Sequence, residues 1–257
     1  MAEIGNSFDL ARLRKQIKPF RLYWFSRLRS TNDQAATMRK RGKLFAPAIV
    51  LAGRQIAGRG RNTNTWWSDT GSLTVTFVLP VDDHLLPHQV PLIAGLGVRN
   101  AIAQLTDADD IQLKWPNDLF FSRRKLAGLL CERVHNADLI GLGLNVNSAG
   151  TIPPQLRGRI VALSEIAQRA LDKTDVLIAV VKQLGPMLLR HREHPFAGVL
   201  KEYDRHHMLR GRRVAVHSNN GEADITGTCL GLDSMGRLLL RNRGMTQRVI
   251  AGQVEMY

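Results

Sequence analysis

The stretch GRGRNTNTWW, from Gly58 to Trp67, decides how the rest of the chain is arranged. Its two glycines allow the backbone to approach a ligand closely, because glycine has no Cβ. Arg59 and Arg61 carry forked, permanently charged donors that match the oxygens of a carboxylate or a phosphate. The apolar run AIVLA at residues 48–52 precedes the stretch and predicts a buried strand. An anion-binding loop positioned by that strand is therefore expected, and a solvated basic turn is the alternative.

Strands and helices are predicted on both sides of this loop. Residues 20–25 are rich in aromatics and predict a strand, and Ser30 with Asp33 resembles a capping box that starts a helix reaching Arg41. Helix capping accounts for both of these side chains without a ligand. After the loop, residues 73–79 alternate as a half-buried strand does, and residues 90–105 have helical spacing.

Two polar residues interrupt the next apolar segment. The segment IQLKWPNDL at residues 111–119 contains Pro116 followed by Asn117 and Asp118. This turn should eject both polar side chains from the strand pairing. An ordinary turn stabilised by Asn or Asp is the alternative. A strand at residues 125–132 follows, and the apolar run at residues 138–146 predicts a strand in the middle of a sheet.

The last third of the chain changes from helical to strand-rich. A short helix is expected near residues 163–166, a longer one from Thr174 to His191, and a third beginning at Pro195. Short strands are expected at residues 212–216, 225–231, 237–240 and 248–250, separated by turn sequences such as Asn219-Asn220-Gly221. This pattern predicts a main domain at residues 1–208 and a small β-barrel at residues 209–257.

The composition is that of an ordinary globular protein with a strong positive charge. The 257 residues include 36 Lys and Arg against 22 Asp and Glu, which gives a formal net charge of +14. This charge indicates affinity for phosphates, polyanions or acidic partner proteins without distinguishing among them. Cys131 and Cys229 form no Cys-x-x-Cys pair, and the chain shows neither a signal peptide nor an apolar run long enough to span a membrane. A cytoplasmic protein with reduced thiols is expected.

Five motifs between Ser30 and Asn147 occur in the order and approximate spacing of one family. They are Ser30-Thr31-Asn32, Gln55 with Gly58-Arg59-Gly60-Arg61 and Trp66, Lys114-Trp115-Pro116-Asn117-Asp118, Lys125-Leu126-Ala127-Gly128, and Gly141-Leu142-Gly143-Leu144-Asn145-Val146-Asn147. Together they resemble the biotin protein ligases, also called biotin–[acetyl-CoA-carboxylase] ligases. The resemblance implies an α+β fold with a mixed, largely antiparallel sheet and helices, related to class II aminoacyl-tRNA synthetases. It also implies a C-terminal SH3-like β-barrel.

The resemblance implies a two-step reaction. Biotin and ATP, with Mg²⁺, would give biotinyl-5′-AMP and pyrophosphate, and the biotinyl group would pass to a lysine of a biotin carboxyl carrier protein domain. Only residues 1–19 precede the first predicted strand, so the form without an N-terminal DNA-binding domain is expected, with no specific DNA and no membrane as partner. The resemblance allows a homodimer.

Site residues follow from the resemblance, motif by motif. Biotin binding is implied for Ser30, Thr31, Asn32, Gln55, Arg59, Gly60, Arg61 and Lys125. ATP or adenylate binding is implied for Arg59, Arg61, Trp66, Lys114, Asn117 and Asn145, and catalysis for Arg59, Arg61, Lys125 and Asp118. Asn117 and Asp118 are the expected Mg²⁺ ligands. The chemistry suits these roles, since hydroxyls and an amide can bind a ureido ring and fixed cations can offset the repulsion between a carboxylate and a phosphate.

The chain departs from the family pattern after Arg61. The family often continues with Gly-Arg before the tryptophan and Ser-Pro after it, whereas this chain has Thr63-Asn64 and Ser68-Asp69. Two other functions remain open on sequence grounds. A lipoate ligase or octanoyl transferase would share the fold and the transfer of an acyl group to lysine. A basic nucleic-acid-binding module would also carry the positive charge.

Overall fold

Fourteen short strands and a set of helices account for most of the computed structural model, which describes residues 7–147, 152–189, 195–218 and 223–257. The strands are β1 (Arg21–Leu28), β2 (Ala48–Gln55), β3 (Gly58–Arg59), β4 (Thr65–Trp66), β5 (Ser72–Pro80), β6 (Gln112–Lys114), β7 (Asp118–Phe121), β8 (Arg124–Val134), β9 (Ala137–Asn145), β10 (Arg213–His217), β11 (Ile225–Leu232), β12 (Leu238–Asn242), β13 (Met245–Val249) and β14 (Gln253–Met256). The helices are α1 (Leu10–Gln16), α2 (Thr31–Lys40), α3 (Val90–Thr106), α4 (Leu163–Ala167), α5 (Lys173–Leu189) and α6 (Pro195–Arg205).

A seven-stranded sheet is the centre of the fold, with the strand order β1-β2-β5-β9-β8-β7-β6. The β1–β2 pair is parallel, and the other five neighbouring pairs are antiparallel. The expected α+β class and the largely antiparallel mixed sheet are thus confirmed. β9 occupies the middle position, as its continuous apolar run predicts.

Alternate residues of the sheet are buried against two different layers. In β2, Ile49 and Leu51 belong to the large hydrophobic cluster formed with α1, α3 and α5, whereas Ala48 and Val50 pack with Ala35 of α2. Successive side chains of a strand point to opposite faces, so both faces of β2 are covered here. The expectation of a half-buried strand at residues 73–79 is wrong for the same reason, since every residue of β5 except Pro80 is buried.

The expected helices are present, with shifted ends. α5 begins one residue before the expected cap, because the side chain of Asp172 accepts a hydrogen bond from the backbone N–H of Thr174 at 2.6 Å. It is described as far as Leu189, so the predicted end at His191 lies outside the described residues. α6 is described from Pro195, its predicted start, and residues 190–194 before it lie outside the described residues; α1 was not predicted. Within the described ranges, no helix is long and apolar enough to cross a membrane.

The C-terminal residues form a five-stranded antiparallel sheet with the order β13-β12-β11-β10-β14. The expected small β module is thus present. The strand predicted at residues 248–250 is displaced to β13, β14 was not predicted, and the predicted turn at Asn219 to Gly221 lies outside the described residues.

Contacts cross the expected boundary between residues 208 and 209. The indole Nε1 of Trp115 donates a hydrogen bond to the carbonyl of Gly236 at 3.4 Å. Gly236 has φ +82°, and a Cβ there would lie 2.9 Å from Leu92 and 2.8 Å from Phe196, so this turn packs closely on α3 and α6. The division at residue 208 stays a prediction, and one hydrophobic cluster extends across it.

Candidate active site

A cavity of about 690 Å³ lies beside the N-terminus of α2, on the same face of the seven-stranded sheet. Every residue that the sequence analysis assigned to the site lines it: Ser30, Thr31, Asn32, Gln55, Arg59, Gly60, Arg61, Trp66, Lys114, Asn117, Asp118, Lys125 and Asn145. Other lining residues were not predicted, among them Trp67, Leu130, Gln155, Ile160, Gly252, Gln253 and Val254. The sheet thus gathers into one space residues that are more than one hundred positions apart.

Glycines of β9 make room for two side chains over the sheet. A Cβ on Gly141 would lie 2.3 Å from Oδ1 of Asn32, and a Cβ on Gly143 would lie 2.3 Å from Cε2 of Trp66. Real Cβ contacts are essentially never this short, so these positions require glycine or a displacement of the partner. Gly141 and Gly143 form a Gly-x-Gly pair that does not fit a dinucleotide-binding motif. They are glycines because they form the floor of the cavity, beneath Asn32 and Trp66.

The first turn of α2 is fixed to the end of β2. The backbone N–H and the hydroxyl of Thr31 both donate to Oε1 of Gln55, at 2.8 and 3.0 Å. Ser30 is the N-cap of α2, and its hydroxyl accepts from the N–H of Asp33 at 3.3 Å, as half of the expected capping box. Both Thr31 and Gln55 are buried, so this polar end of the cavity is firmly positioned.

Both the oxygen and the nitrogen of the Asn32 side-chain amide form hydrogen bonds with protein groups. Its Oδ1 accepts from the hydroxyl of Thr76 at 2.6 Å, and its Nδ2 donates to the carbonyl of Leu130 and to Oε2 of Glu132, at 3.1 and 2.7 Å. Asn32 is 2% exposed. Its amide therefore positions neighbouring side chains, and the contact with biotin that the resemblance implies stays a prediction, since Asn32 also lines the cavity.

Arg59 is already paired with two carboxylates. Its guanidinium lies 2.7 Å from Oδ1 of Asp33 and 2.9 Å from Oε2 of Glu132. Burial alone would lower the pKa of Arg59, but the hydrogen bonds and charges of Glu132 and Asp33 outweigh it, and the pKa is raised. Glu132 was not predicted as a site residue. The two-residue alternation from Gly128 through Leu130 does place it on the cavity side of β8 and was the available signal.

Arg61 differs from Arg59 because its hydrogen-bond acceptors are neutral. It donates to Oδ1 of Asn117 and to the carbonyl of Gly252, both at 3.2 Å. Burial lowers the pKa of Arg61, and the charge of Asp118 opposes this shift. A guanidinium stays charged in proteins, so Arg61 brings a partly desolvated positive charge to the cavity. The Gly252 contact comes from the residue just before β14 of the C-terminal sheet, and no motif predicts it.

A lysine and an aspartate meet at the same corner. Nζ of Lys125 lies 2.8 Å from Oδ1 of Asp118 and 5.7 Å from the centre of the Trp66 ring. A Cβ on Gly128 would lie 3.1 Å from the Asp118 carboxylate, so this glycine also leaves room for the pair. Asp118 remains in the strand ladder opposite Lys114 and Gly128, which corrects the expectation that the turn ejects it.

Asn117, Lys114 and Asn145 complete this corner. Asn117 lies in the turn before β7, as expected, and its Nδ2 donates to the carbonyl of Leu129 at 2.6 Å. Burial lowers the pKa of Lys114, with a further lowering from the charge of Lys125 opposed by Asp118 and Glu255. Nδ2 of Asn145 donates to the carbonyl of Val161 at 3.2 Å. The corner therefore contains three cationic side chains, Arg61, Lys114 and Lys125. Arg61 is paired with Asn117, and Lys125 is paired with Asp118.

The segment that holds both arginines is a small hairpin. β3 and β4 pair antiparallel, with Gly58 opposite Trp66 and Arg59 opposite Thr65. The N–H of Gly60 donates to the carbonyl of Asn64 at 2.8 Å. Asn62 occupies the left-handed region at φ 55°, where Asn is tolerated better than most residues. The expected anion-binding loop is thus a structured turn in which Asn62-Thr63-Asn64 forms the tip.

The expected Mg²⁺ ligands, Asn117 and Asp118, each have a cationic neighbour. Asp118 is paired with Lys125, and Oδ1 of Asn117 accepts from Arg61. Mg²⁺ in nucleotide sites is usually held by one or two carboxylates together with the substrate phosphates, so Asn117 and Asp118 stay predicted ligands. Within the described residues, there is no group of three or more His, Cys, Asp or Glu side chains that could hold a metal ion.

Comparisons with known proteins indicate a ligase domain. Residues 24–147 match the biotin/lipoate A/B protein ligase family, and the chain carries a domain of that family. Its curated relatives include the biotin–[acetyl-CoA-carboxylase] ligase of Mycobacterium tuberculosis, 29% identical over 88% of this chain and 85% of that protein. The ligase of the same description from Paracoccus denitrificans is 27% identical over 89% of this chain and 98% of that protein.

A solved structure shows the same architecture. The biotin protein ligase from Aquifex aeolicus in complex with biotin and ATP superposes with a TM-score of 0.82 and 29% sequence identity. The match covers 92% of this chain and 98% of that one. It therefore includes both the seven-stranded sheet and strands beyond residue 208.

Proposed function

We propose that this chain is a biotin–[acetyl-CoA-carboxylase] ligase. It would join biotin to ATP as biotinyl-5′-AMP and transfer the biotinyl group to a lysine of a biotin carboxyl carrier protein domain. The observation that carries the proposal is the meeting of Arg61 and Lys125 at the Asn117–Asp118 corner of a cavity whose other end is the polar Thr31–Gln55 contact. The ligase relatives and the structural neighbour bound to biotin and ATP support the assignment of both substrates.

The first step joins two anions. A carboxylate oxygen of biotin attacks the α-phosphorus of ATP, the bond from that phosphorus to the bridging oxygen breaks, and pyrophosphate leaves. The reacting groups repel one another, so fixed cations at their meeting point lower the barrier. Arg61 and Lys125 would supply these charges. The buried Nε1 of Trp66, which has no hydrogen-bond partner among the described residues, is a donor left for a ligand.

The polar end of the cavity would bind the ureido ring of biotin. A neutral ring of this kind needs a few fixed donors and acceptors within largely apolar walls. Ser30, Thr31 and Gln55 provide hydroxyl and amide groups there. The hydrogen bonds between Thr31 and Gln55, and the one that Ser30 accepts from the N–H of Asp33, set their orientation before a ligand arrives. Asn32 would act indirectly, by fixing Glu132 and the start of α2.

The second step forms an amide. The amine of the carrier lysine attacks the acyl carbon of biotinyl-5′-AMP, the bond to the AMP oxygen breaks, and the amine loses a proton. The free amine has a pKa near 10.4, so it must lose its proton to react, and desolvation in the cavity favours the neutral form. Lys125 would remain a fixed charge and would form no covalent bond. The Mg²⁺ that accompanies ATP would be held by the phosphates of the nucleotide.

The decisive experiment measures pyrophosphate release from ATP by the purified protein, with biotin or with lipoate and without an acceptor protein. Release with biotin alone is the expected result. Release with lipoate alone would assign the chain to lipoate activation within the same family, and release with neither acid would refute the proposal. A carrier domain added afterwards should gain biotin on one lysine, and a carrier in which that lysine is replaced by arginine should gain none. A cytoplasmic location and a homodimer stay predictions.

A further inference from the structure

Arg59 connects the hairpin to two other elements of the fold. It lies on β3, opposite Thr65 of β4, so its backbone belongs to the hairpin. Its guanidinium contacts Asp33 in the first turn of α2 and Glu132 on β8, at 2.7 and 2.9 Å. We call Arg59, Asp33 and Glu132 the Arg59 cluster. It is the meeting point of the hairpin, α2 and the sheet.

Both carboxylates of the Arg59 cluster are themselves fixed. Glu132 accepts from the amide of Asn32 at 2.7 Å, and Asn32 is fixed in turn by Thr76 at 2.6 Å. Asp33 lies in the first turn of α2, where the partial positive charge of the helix end favours a carboxylate. Arg59 therefore meets one carboxylate, Glu132, whose position is set by buried groups, and a second, Asp33, whose charge is favoured by the helix end.

The two arginines of the hairpin have different partners. Arg59 has two carboxylates, whereas Arg61 has the neutral oxygens of Asn117 and Gly252. An anionic ligand that took Arg59 from its partners would leave Asp33 and Glu132 close together without a counter-charge, which is unfavourable. An anion that approached Arg61 would meet no such opposition from its two acceptors. The geometry therefore leaves Arg61 available to an anionic ligand and commits Arg59 to holding the hairpin.

We infer that the Arg59 cluster holds the β3–β4 hairpin over the cavity and determines how long the reactive adenylate is retained. Arg59, Asp33 and Glu132 are positioning residues in this assignment, and Arg61 is the arginine that contacts the anion. The part that concerns the adenylate rests on the proposed function. The part that concerns the hairpin requires no ligand, and the two parts can be tested separately.

The first test measures amide hydrogen exchange in the free protein. Glu132→Gln removes the charge but keeps an oxygen that can accept from Asn32, so the change is confined to the pairing with Arg59. The side chains of the cluster are 32–50% exposed, and exposed ion pairs contribute modestly. We expect the amides of Gly60 and Asn64, which are hydrogen-bonded across the hairpin turn, to exchange about three- to tenfold faster.

Arg133→Gln is the matched control. Arg133 is the next residue on β8 and forms its own ion pair with Asp138 at 2.7 Å, away from the hairpin. This variant should leave the exchange of Gly60 and Asn64 unchanged. Equal exchange in Glu132→Gln and the parent protein, or equal acceleration in both variants, would overturn the role of the cluster.

The second test measures adenylate release. The protein is loaded with labelled ATP and biotin, excess unlabelled ATP is added, and labelled adenylate in solution is followed. Glu132→Gln should release it about three- to tenfold faster, with the rate of the first adenylation round much less affected, and Arg59→Gln should accelerate the release by a similar factor. The double variant should be no faster than either single one, because both remove the same contact. Arg59→Lys, which keeps the charge without the fork, should be intermediate.

The outcomes separate the two proposals. Faster exchange with unchanged adenylate release would refute the link between the Arg59 cluster and retention. Faster exchange in a protein that makes no adenylate with biotin would refute the proposed function and, with it, the retention role, while the structural role of the cluster would stand. Loss of adenylation in Arg59→Gln as large as in Arg61→Gln would show that Arg59 contacts the anion, and would overturn the separation of roles.

Discussion

Gly143 lies so close to the indole of Trp66 that a Cβ on this glycine would be 2.3 Å from Cε2. The central strand of the sheet and the second strand of the hairpin therefore meet through one glycine. Lys125 lies on the same ring, 5.7 Å from its centre. The position of the indole thus depends on a residue of the sheet and affects the corner at which the anions would meet.

Replacing Gly143 with alanine should displace Trp66. The added methyl group requires a shift of the ring or of β9, and overpacking of this kind costs about 1–3 kcal/mol. We expect the protein to fold with a lower melting temperature and biotin-dependent pyrophosphate release to fall about 10- to 100-fold, since small misplacements at a reacting centre are costly. Gly198→Ala is the control, because a Cβ there meets nothing within 4 Å. Full activity in Gly143→Ala would contradict the close contact.

Replacing Lys125 with alanine should weaken biotin binding and slow the first step. The change removes a fixed positive charge from the Asp118 corner, and one such group contributes about 100- to 1000-fold to the rate in comparable sites. Biotin affinity by calorimetry and the rate of pyrophosphate release measure the two effects. Arg133→Gln removes a positive charge from the opposite end of the same strand and should change neither. Unchanged affinity and rate in Lys125→Ala would remove this lysine from the site.

Replacing Arg61 with alanine should give an enzyme that still forms adenylate, more slowly, and loses it to solution. Arg61 brings a partly desolvated charge to the cavity and contacts Gly252 of the C-terminal sheet. Removing the guanidinium therefore takes a positive charge from the bound anion and a hydrogen-bond donor from the carbonyl of Gly252. Adenylate in the filtrate, compared with adenylate bound to protein, measures retention. A variant that kept the adenylate as long as the parent would show that Arg61 has no part in holding it.

Lys173 should make the free energy of unfolding depend on pH in the alkaline range. Its side chain is fully buried and donates to the carbonyl of Thr70 at 2.6 Å. Burial lowers the pKa of Lys173 from 10.5 to about 8, with Asp69 and Asp172 opposing the shift. Between these pH values the unfolded chain binds more protons than the folded chain, so this residue makes the free energy of unfolding rise as the pH rises.

The comparison that isolates this effect is with Lys173→Met. The free energy of unfolding of the parent, minus that of the variant, should increase from pH 8 to pH 10.5 and stay level below pH 8. Denaturant titrations at several pH values measure it. Lys182→Met replaces an exposed lysine of the same helix and serves as the control. A difference that stayed level across this range, or that decreased, would contradict the buried, partly neutral state of Lys173.

Local patterns predicted most of the elements. The apolar runs of β2 and β9 and the helical spacing of α3 identify these elements because each is buried along its length. The half-buried reading of β5 failed because alternation records polarity, and Thr74 and Thr76 are polar residues that are nevertheless buried. Thr76 is buried because its hydroxyl has a partner in Asn32, and that partner is 44 positions away.

The candidate site was predicted as a set of residues, and its internal contacts were not. Short motifs identify side chains that a ligand would meet, and all of them line the cavity. Glu132 was missed because a glutamate at a strand end is ordinary in sequence, and its pairing with Arg59 depends on how the hairpin folds over β8. Gly252 was missed because it contributes a backbone carbonyl, which has no side-chain signature.

The contact between Arg61 and Gly252 has a consequence for inhibitor design. Gln253 and Val254 of β14 follow Gly252 and line the same cavity. A compound that extended from the Gln55 end to this wall would contact the C-terminal sheet as well as the motif residues. Substitutions that confer resistance to it would then arise at Gly252, 191 positions from Arg61, or at the two residues after it, and their change leaves every recognisable motif intact.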